Sequence, residues 1–400
     1  MARLHMDDWR GGLGCSILLF AFACSSSGVG GPSGPLPDGG GVPDGGGVPD
    51  GGGVPDDVVG GQPDSAPADA GAVETVLFDK TRIGSRNGSG WPNVGRASTD
   101  VVFDGPFAKM TLVVDLDTTC YPFEKWTAEP PPMGQNWPAS CDAFDRNFNV
   151  LLDDPKASDA ASGPPAIEVA HAITPFGGPE HLEIDVTDLA NGLPGRHELA
   201  VDIAAYSDPM GQVTGSNNGW TVSAKTVATR GPAPRKVLAV LPLYAGVQNS
   251  GDTPPVIPFT VPSGTTAARI EYRTSGHGGG EVGIGCVGPS EEFCNHPHQV
   301  LVDGAVAKMV RTWRTDCGTL CTVTRGPRFD YCLENPCGDQ NSVVAPRANW
   351  CPGSMTPPFV WDDIAALSAP GAHTFGFSIV PILAGGNWQV SAVYFAFGSN

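Results

Sequence analysis

Three short segments hold residues whose types and spacing can do chemistry. CDAFDRNFNV (141–150) sets two carboxylates, Asp142 and Asp145, and Arg146 beside a cysteine. EEFCNHPHQVLVDG (291–304) offers Glu291 and Glu292 ahead of Cys294, then the imidazoles His296 and His298; upstream lie TSGHG (274–278), with His277, and Cys286. RANWCPGS (347–354) brings Arg347, Trp350 and Cys351, preceded by WRTDCG (313–318) and NPCGDQ (335–340). A positioned carboxylate takes a proton from water while a nearby guanidinium steadies developing negative charge, which together are the parts of general acid–base chemistry. The His-x-His pair suits copper or zinc instead. Each residue also has a plain use: Asp145–Arg146 as a turn ion pair, Glu292 as the solvated part of a disulfide loop, Arg347 packed on Trp350, Phe144 and Tyr206 as core.

The elements that must position these groups are strands. The 400 residues include 54 Gly and 39 Pro and carry a formal charge of −19. So many helix breakers exclude a helical bundle, and the acidity argues against a nucleic-acid partner, which needs clustered Lys and Arg. From residue 73 onward, short apolar runs such as AKMTLVVDLD (108–117) and RHELAVDIAAY (196–206) alternate in polarity and are cut by Gly, Pro and Asn. That pattern predicts an all-β protein of sandwich or jelly-roll type. TRGPAPRK (229–236) interrupts it and predicts a boundary between halves 73–230 and 231–400.

Ahead of these halves, GCSILLFAFA (14–23) has the length of a signal-peptide core and is followed by Cys24. The arrangement resembles a bacterial lipoprotein signal, 1–24, with Cys24 lipidated; ordinary secretion is the alternative, and both expect an extracytoplasmic chain, at the outer membrane or cell surface or secreted. In residues 25–72 PDGGGV recurs from Pro37, Pro43 and Pro49, with seven Asp and no Lys or Arg, so a flexible tether is expected. Nine cysteines remain beyond Cys15 and Cys24, and in an exported chain they predict disulfides with at least one thiol left over. The spacings Cys317-x3-Cys321 and Cys332-x4-Cys337 leave a zinc site as the alternative.

In this order the three segments, with LFDK (77–80), AITPF (172–176) and LEIDVTDL (182–189), resemble the bacterial peptide-N-glycosidase F family, amidases that release N-glycans from glycoproteins. The resemblance covers 73–400. It implies two antiparallel jelly rolls side by side with the site in the groove between them. The implied reaction hydrolyses the amide between Asn and N-acetylglucosamine, giving a glycosylamine and Asp; the implied partner is an N-glycosylated protein or glycopeptide, with no cofactor and a monomeric enzyme. Position by position, the catalytic Asp falls on Asp145 with Phe144 and Arg146 beside it, and the family's Glu on Glu292 in preference to Glu291. The family's Arg falls on Arg347, followed by Trp350. Asp145 is then the base and Glu292 the second catalytic carboxylate, with Arg146, Arg347, Tyr206 and Trp350 as substrate contacts. By the same comparison Cys120 pairs with Cys141, Cys286 with Cys294 and Cys317 with Cys351, leaving Cys321, Cys332 and Cys337, of which two can pair.

Two departures stand out. Where the family has a Glu, and a Trp two residues later, this chain has Ala204 and Tyr206; Asp202, on the same strand face as Ala204, is the candidate substitute. An insert, YPFEKWTAEPPPMGQNWPAS (121–140), lengthens a loop near the expected groove. Two further functions follow from these features: a glycan-binding or adhesion protein that keeps the fold without the chemistry, and a copper-dependent peptide monooxygenase-like protein using His296 and His298 with Met309 or Met355.

Overall fold

Alternating burial sets the layers. In β3 (Phe107–Thr118), Met110, Leu112, Val114 and Leu116 turn inward at every second position while Lys109 and Asp117 stay exposed, the period of a strand with one covered face. The computed structural model describes residues 71–84, 95–118, 142–155, 164–204, 219–280, 282–325 and 330–399. The leader with Cys24, the 25–72 tether, the 121–140 insert, Cys120, Cys141 and Tyr206 lie outside the described residues.

Two antiparallel sheets form the first half. One runs β1 (Val73–Gly84), β8 (Gly219–Arg230), β3 and β6 (Glu180–Asp185). The other runs β16 (Ser354–Met355), β5 (Ile167–Ile173), β4 (Asn147–Leu152), β7 (Gly195–Ile203) and β2 (Arg96–Phe103). The second half pairs β17 (Phe359–Trp361), β11 (Ala267–Gly278), β19 (Gly386–Gly398) and β9 (Lys236–Asn249) against β10 (Val256–Val261), β18 (Gly371–Ile379), β12 (Pro297–Val302) and β13 (Ala305–Arg311). A ribbon of β14 (Val323–Arg325) and β15 (Asp330–Cys332) completes the strands among the described residues. The protein is a pair of antiparallel jelly-roll sandwiches.

β19 explains why the halves hold together. Its even-numbered Ala392, Tyr394 and Ala396 pack into the second half's own core, whereas Val393, Phe395 and Phe397 join the core of the first half. A strand covered on both faces must read as a near-continuous apolar run, as VSAVYFAF (390–397) does. The short β16 adds a second tie, since it leaves the loop after Cys351 and pairs with β5 of the first half, Ser354 opposite Ile173.

Three disulfides are formed among the described residues, Cys286–Cys294, Cys317–Cys351 and Cys321–Cys332, and Cys337 is a buried free thiol. The alternative zinc reading falls, because Cys317, Cys321 and Cys332 already have sulfur partners. The bridges fit a chain that works outside the reducing cytosol. Cys337 sits under the Pro175–Gly178 turn, where Gly177 has φ +74° and a Cβ there would lie 2.4 Å from the Cys337 Sγ. Gly177→Ala is therefore expected to cost about 2–4 kcal/mol, combining left-handed strain with overpacking, which urea unfolding would measure.

Candidate active site

Asp145 is held by a stretch that Thr174 pins. The Thr174 amide donates to the Arg146 carbonyl (2.9 Å), the Arg146 amide donates to Thr174 Oγ1 (2.9 Å), and that hydroxyl donates to the Phe144 carbonyl (3.3 Å). Arg146 turns its guanidinium inward and forks onto Asp142, Nε to Oδ1 at 3.1 Å and Nη2 to Oδ2 at 2.9 Å. Burial pushes the Asp142 carboxyl up to about 6 against the pull of Arg146. The side chain expected to touch substrate is thus 3% exposed and braces the loop instead, leaving Asp145 half-buried between the two partners.

The second half supplies the opposing groups. A one-turn 3-10 helix, Glu291–Phe293, lies inside the Cys286–Cys294 loop. Its two carboxylates part ways. Glu291 is fully buried and accepts from Trp388 Nε1 (2.7 Å) and the Leu383 amide (2.8 Å), with His296 Nε2 at 3.2 Å. Glu292 stays half-buried, accepts from Ser290 Oγ (3.0 Å) and places Oε2 3.0 Å from Arg347 Nη1, an ion pair that lies off the hydrogen-bond line. Arg347 is 1% exposed; Nη2 donates to the Ser342 carbonyl (2.8 Å) and hydroxyl (2.9 Å), and its guanidinium lies over the rings of Phe293 (4.8 Å) and Trp350 (4.2 Å). Trp350 is itself buried and donates from Nε1 to the Gly276 carbonyl (2.9 Å), so it supports Arg347 from below rather than offering an open ring face.

These groups meet across the seam. Withdrawal from water lifts the Asp145 carboxyl to about 6; the Arg347 cation pulls it down, and the like charge of Glu292 pushes it up. Sensing both partners makes Asp145, Glu292 and Arg347 one charge cluster drawn from two halves. Joining cysteines eight positions apart, the Cys286–Cys294 bridge holds Glu292 in that cluster. The double variant Cys286→Ser, Cys294→Ser is expected to lose about 2–3 kcal/mol of stability, and thermal unfolding with and without reductant checks it.

Other expected residues take other places. Asp202 lies on β7 in register with Asn149, has a 40% exposed side chain and faces Arg96 Nη1 at 3.9 Å. Ala204, beyond the end of β7, is exposed and donates its amide to the Asn147 carbonyl (3.1 Å). His298 is buried between the Tyr272 hydroxyl (2.9 Å) and Thr312 Oγ1 (3.2 Å) and packs edge-on against Trp388. With His296 on Glu291, both imidazoles of the copper reading are spent inside the second half, and exposed Met309 stands apart from that core. The His/Cys grouping of Cys286, Cys294 and His296 has both sulfurs tied in a disulfide.

Residues 247–394 match the family model for the C-terminal domain of peptide-N-glycosidase F, and solved structures similar to this chain share its fold across both halves. The chain has the fold of peptide-N-glycosidase F, and its second half matches that family's C-terminal domain. A structure of PNGF-II is 19% identical over 81% of this chain, with a TM-score of 0.59, and this chain spans 65% of that one. A peptide-N(4)-(N-acetyl-β-D-glucosaminyl)asparagine amidase is 18% identical, covering 82% of this chain and 97% of its own, with a TM-score of 0.60. PNGase F, described as a glycosylasparaginase from Flavobacterium meningosepticum, is 18% identical over 82% and 96% of the two chains, with a TM-score of 0.59. No curated protein matches the chain in sequence.

Within this peptide-N-glycosidase F fold a groove of about 570 Å³ also opens between the halves, lined by Arg235, Arg269, Glu271, Arg273 and Asp188 and excluding Asp145 and Glu292. Its charges are mutually engaged, Arg269 with Asp188 (2.7 Å) and Glu271 (2.9 Å), and Arg273 with Glu271 (3.0 Å), so it reads as the polar seam holding the halves. Sequence reasoning missed the buried roles of Glu291 and Asp142, and the part played by Asn149, His171 and Ser275. Ser275 and His277 alternate on one strand face, a signal legible in TSGHG; their partner His171 is 104 residues from Ser275 and was not.

Proposed function

We propose that the protein is a glycoamidase that hydrolyses the amide between an Asn side chain and the first N-acetylglucosamine of an N-linked glycan. What carries the reading is the meeting of a half-buried Asp145 from one half with the Glu292–Arg347 pair from the other, in the fold of the peptide-N-glycosidase F family. Ionised Asp145 takes a proton from water as the oxygen adds to the amide carbonyl. From beneath the site the buried Arg347 cation stabilises the oxyanion through its field, and Glu292 holds the guanidinium from one side while Ser342 does so from the other. Collapse of the tetrahedral adduct breaks the C–N bond; the proton held by Asp145 passes to the leaving nitrogen, giving a glycosylamine and an Asp side chain.

The test is glycan release from a denatured N-glycoprotein by the full chain, with EDTA present. Release that is unaffected by EDTA and lost in Asp145→Asn is the expected result. A second reading rests on Ala204, an exposed methyl where the resemblance implies a carboxylate: a glycan-binding protein without turnover. Glycopeptide binding with no release from any denatured N-glycoprotein would select it and overturn the amidase.

A further inference from the structure

β11 sends Arg269, Glu271, Arg273, Ser275 and His277 toward the first half at every second position; the first three form the polar seam, and the last two lead to the site. Ser275 Oγ lies 2.7 Å from His171 Nε2 and 2.7 Å from His277 Nε2. His171 Nδ1 lies 2.7 Å from Asn149 Oδ1 and 3.6 Å from Glu168 Oε1. Four side chains from β4, β5 and β11 thus form one chain of hydrogen bonds across the two halves, and Ser275 and His171 are within 1% of full burial.

The direction of that chain follows from counting hydrogens. A carboxylate and an amide oxygen only accept, so His171 Nδ1 carries the hydrogen. In neutral His171, Nε2 is then a lone pair and takes the Ser275 hydroxyl hydrogen. The serine oxygen, its one hydrogen used, accepts from His277 Nε2–H. His277 Nδ1 is left with a lone pair and has no hydrogen-bond partner among the described residues. The ring is stacked on Trp350 at 5.3 Å, the indole over which Arg347 also lies. Burial, with the Arg347 cation beside the ring, holds His277 down to about 3, so the imidazole stays neutral through the working range.

We infer that His277 is a fixed hydrogen-bond acceptor of the interdomain site, locked in its Nε2–H tautomer by Ser275, His171 and Asn149, and that it receives a neutral N–H or O–H donor of the bound glycopeptide. The tautomer stands on the geometry with His171 neutral; the identity of the ligand rests on the glycoamidase reading. Arg347 beside the ring disfavours a cationic donor, which leaves an amide of the peptide or a hydroxyl of the glycan.

The full chain, ¹⁵N-labelled at histidine, is examined at pH 8 by long-range ¹H–¹⁵N correlation, with His277→Gln assigning the signal. The expected pattern is a neutral His277 bearing hydrogen on Nε2 down to pH 5, and a mixed tautomer in Ser275→Ala. Hydrogen on Nδ1 at pH 8, or titration of His277 near 6.5, would overturn the inference in the unmodified chain. In kinetics, Ser275→Ala is expected to raise KM for a glycopeptide about 5- to 10-fold with kcat nearly constant, since a misaligned acceptor weakens binding before it touches the chemistry. The inhibition constant of either the free glycan or the unglycosylated peptide moves by the same factor, and which one moves names the donor; neither moving overturns the ligand assignment. If the parent chain releases nothing, the amidase reading fails separately, and the same 5- to 10-fold loss is then expected in glycopeptide Kd.

Discussion

Asp145→Asn is expected to abolish glycan release and, at the same time, to make the folded chain more stable at neutral pH. The rate effect follows from removing the base, worth about 10²- to 10⁴-fold. The stability effect follows from where the carboxyl sits. Its pKa is about 6 in the folded chain against the usual 3.8, so the neutral form is the one the fold tolerates. Below pH 3.8 the carboxyl is protonated in folded and unfolded chains alike and the substitution changes little. As pH rises through 6 the folded chain must ionise Asp145 in its desolvated place, and that cost is complete above 6. Asparagine never ionises, so at pH 7 to 8 the variant should gain about 1–3 kcal/mol. Urea unfolding at pH 4 and pH 8 reads this directly. A variant that is inactive but no more stable at pH 8 would mean that Asp145 is not held against its own charge. The same pKa predicts that kcat/KM of the parent falls about tenfold per pH unit below about 6.

Removing either partner of Asp145 should move that acid limb, in opposite directions. Arg347→Met deletes the cation that pulls the Asp145 pKa down, so the limb shifts to higher pH; Glu292→Gln deletes the like charge that pushes it up, so the limb shifts to lower pH. Both lower the rate at its plateau. For Arg347 the loss should be about 10²- to 10³-fold, the scale of losing one electrostatic stabiliser of the oxyanion. For Glu292, which acts by aligning Arg347 across 3.0 Å, a smaller loss of about 10- to 100-fold is expected. General loosening of the site would shift both profiles the same way or neither. Opposite displacements require that the three groups share one field, and pH profiles of kcat/KM for the two variants decide it.

The sequence of this protein determined its strands, because alternation is local: AKMTLVVDLD names its buried face from its own residues, and VSAVYFAF announces two covered faces by being apolar throughout. It also singled out the segments proposed to carry the chemistry, since Asp145, Glu292 and Arg347 stand in motifs a few residues long. The direction of a side chain was another matter. Nothing within CDAFDRNFNV separates an Arg146 that reaches out from one that folds back onto Asp142; burial of both, with Thr174 pinning the loop from 28 residues away, decided it. Glu291 and Glu292 are adjacent and alike, yet Trp388, 97 residues on from Glu291, claims one and leaves the other for Arg347. The pairing of Cys321 with Cys332 and the isolation of Cys337 were equally open until the β14–β15 ribbon brought two sulfurs together and the Pro175–Gly178 turn covered the third. Spacing along a chain fixes which residues share a face, whereas a hydrogen bond, a bridge or a shifted pKa needs two groups within a few ångströms, and only the packing of one jelly roll on the other supplied that distance.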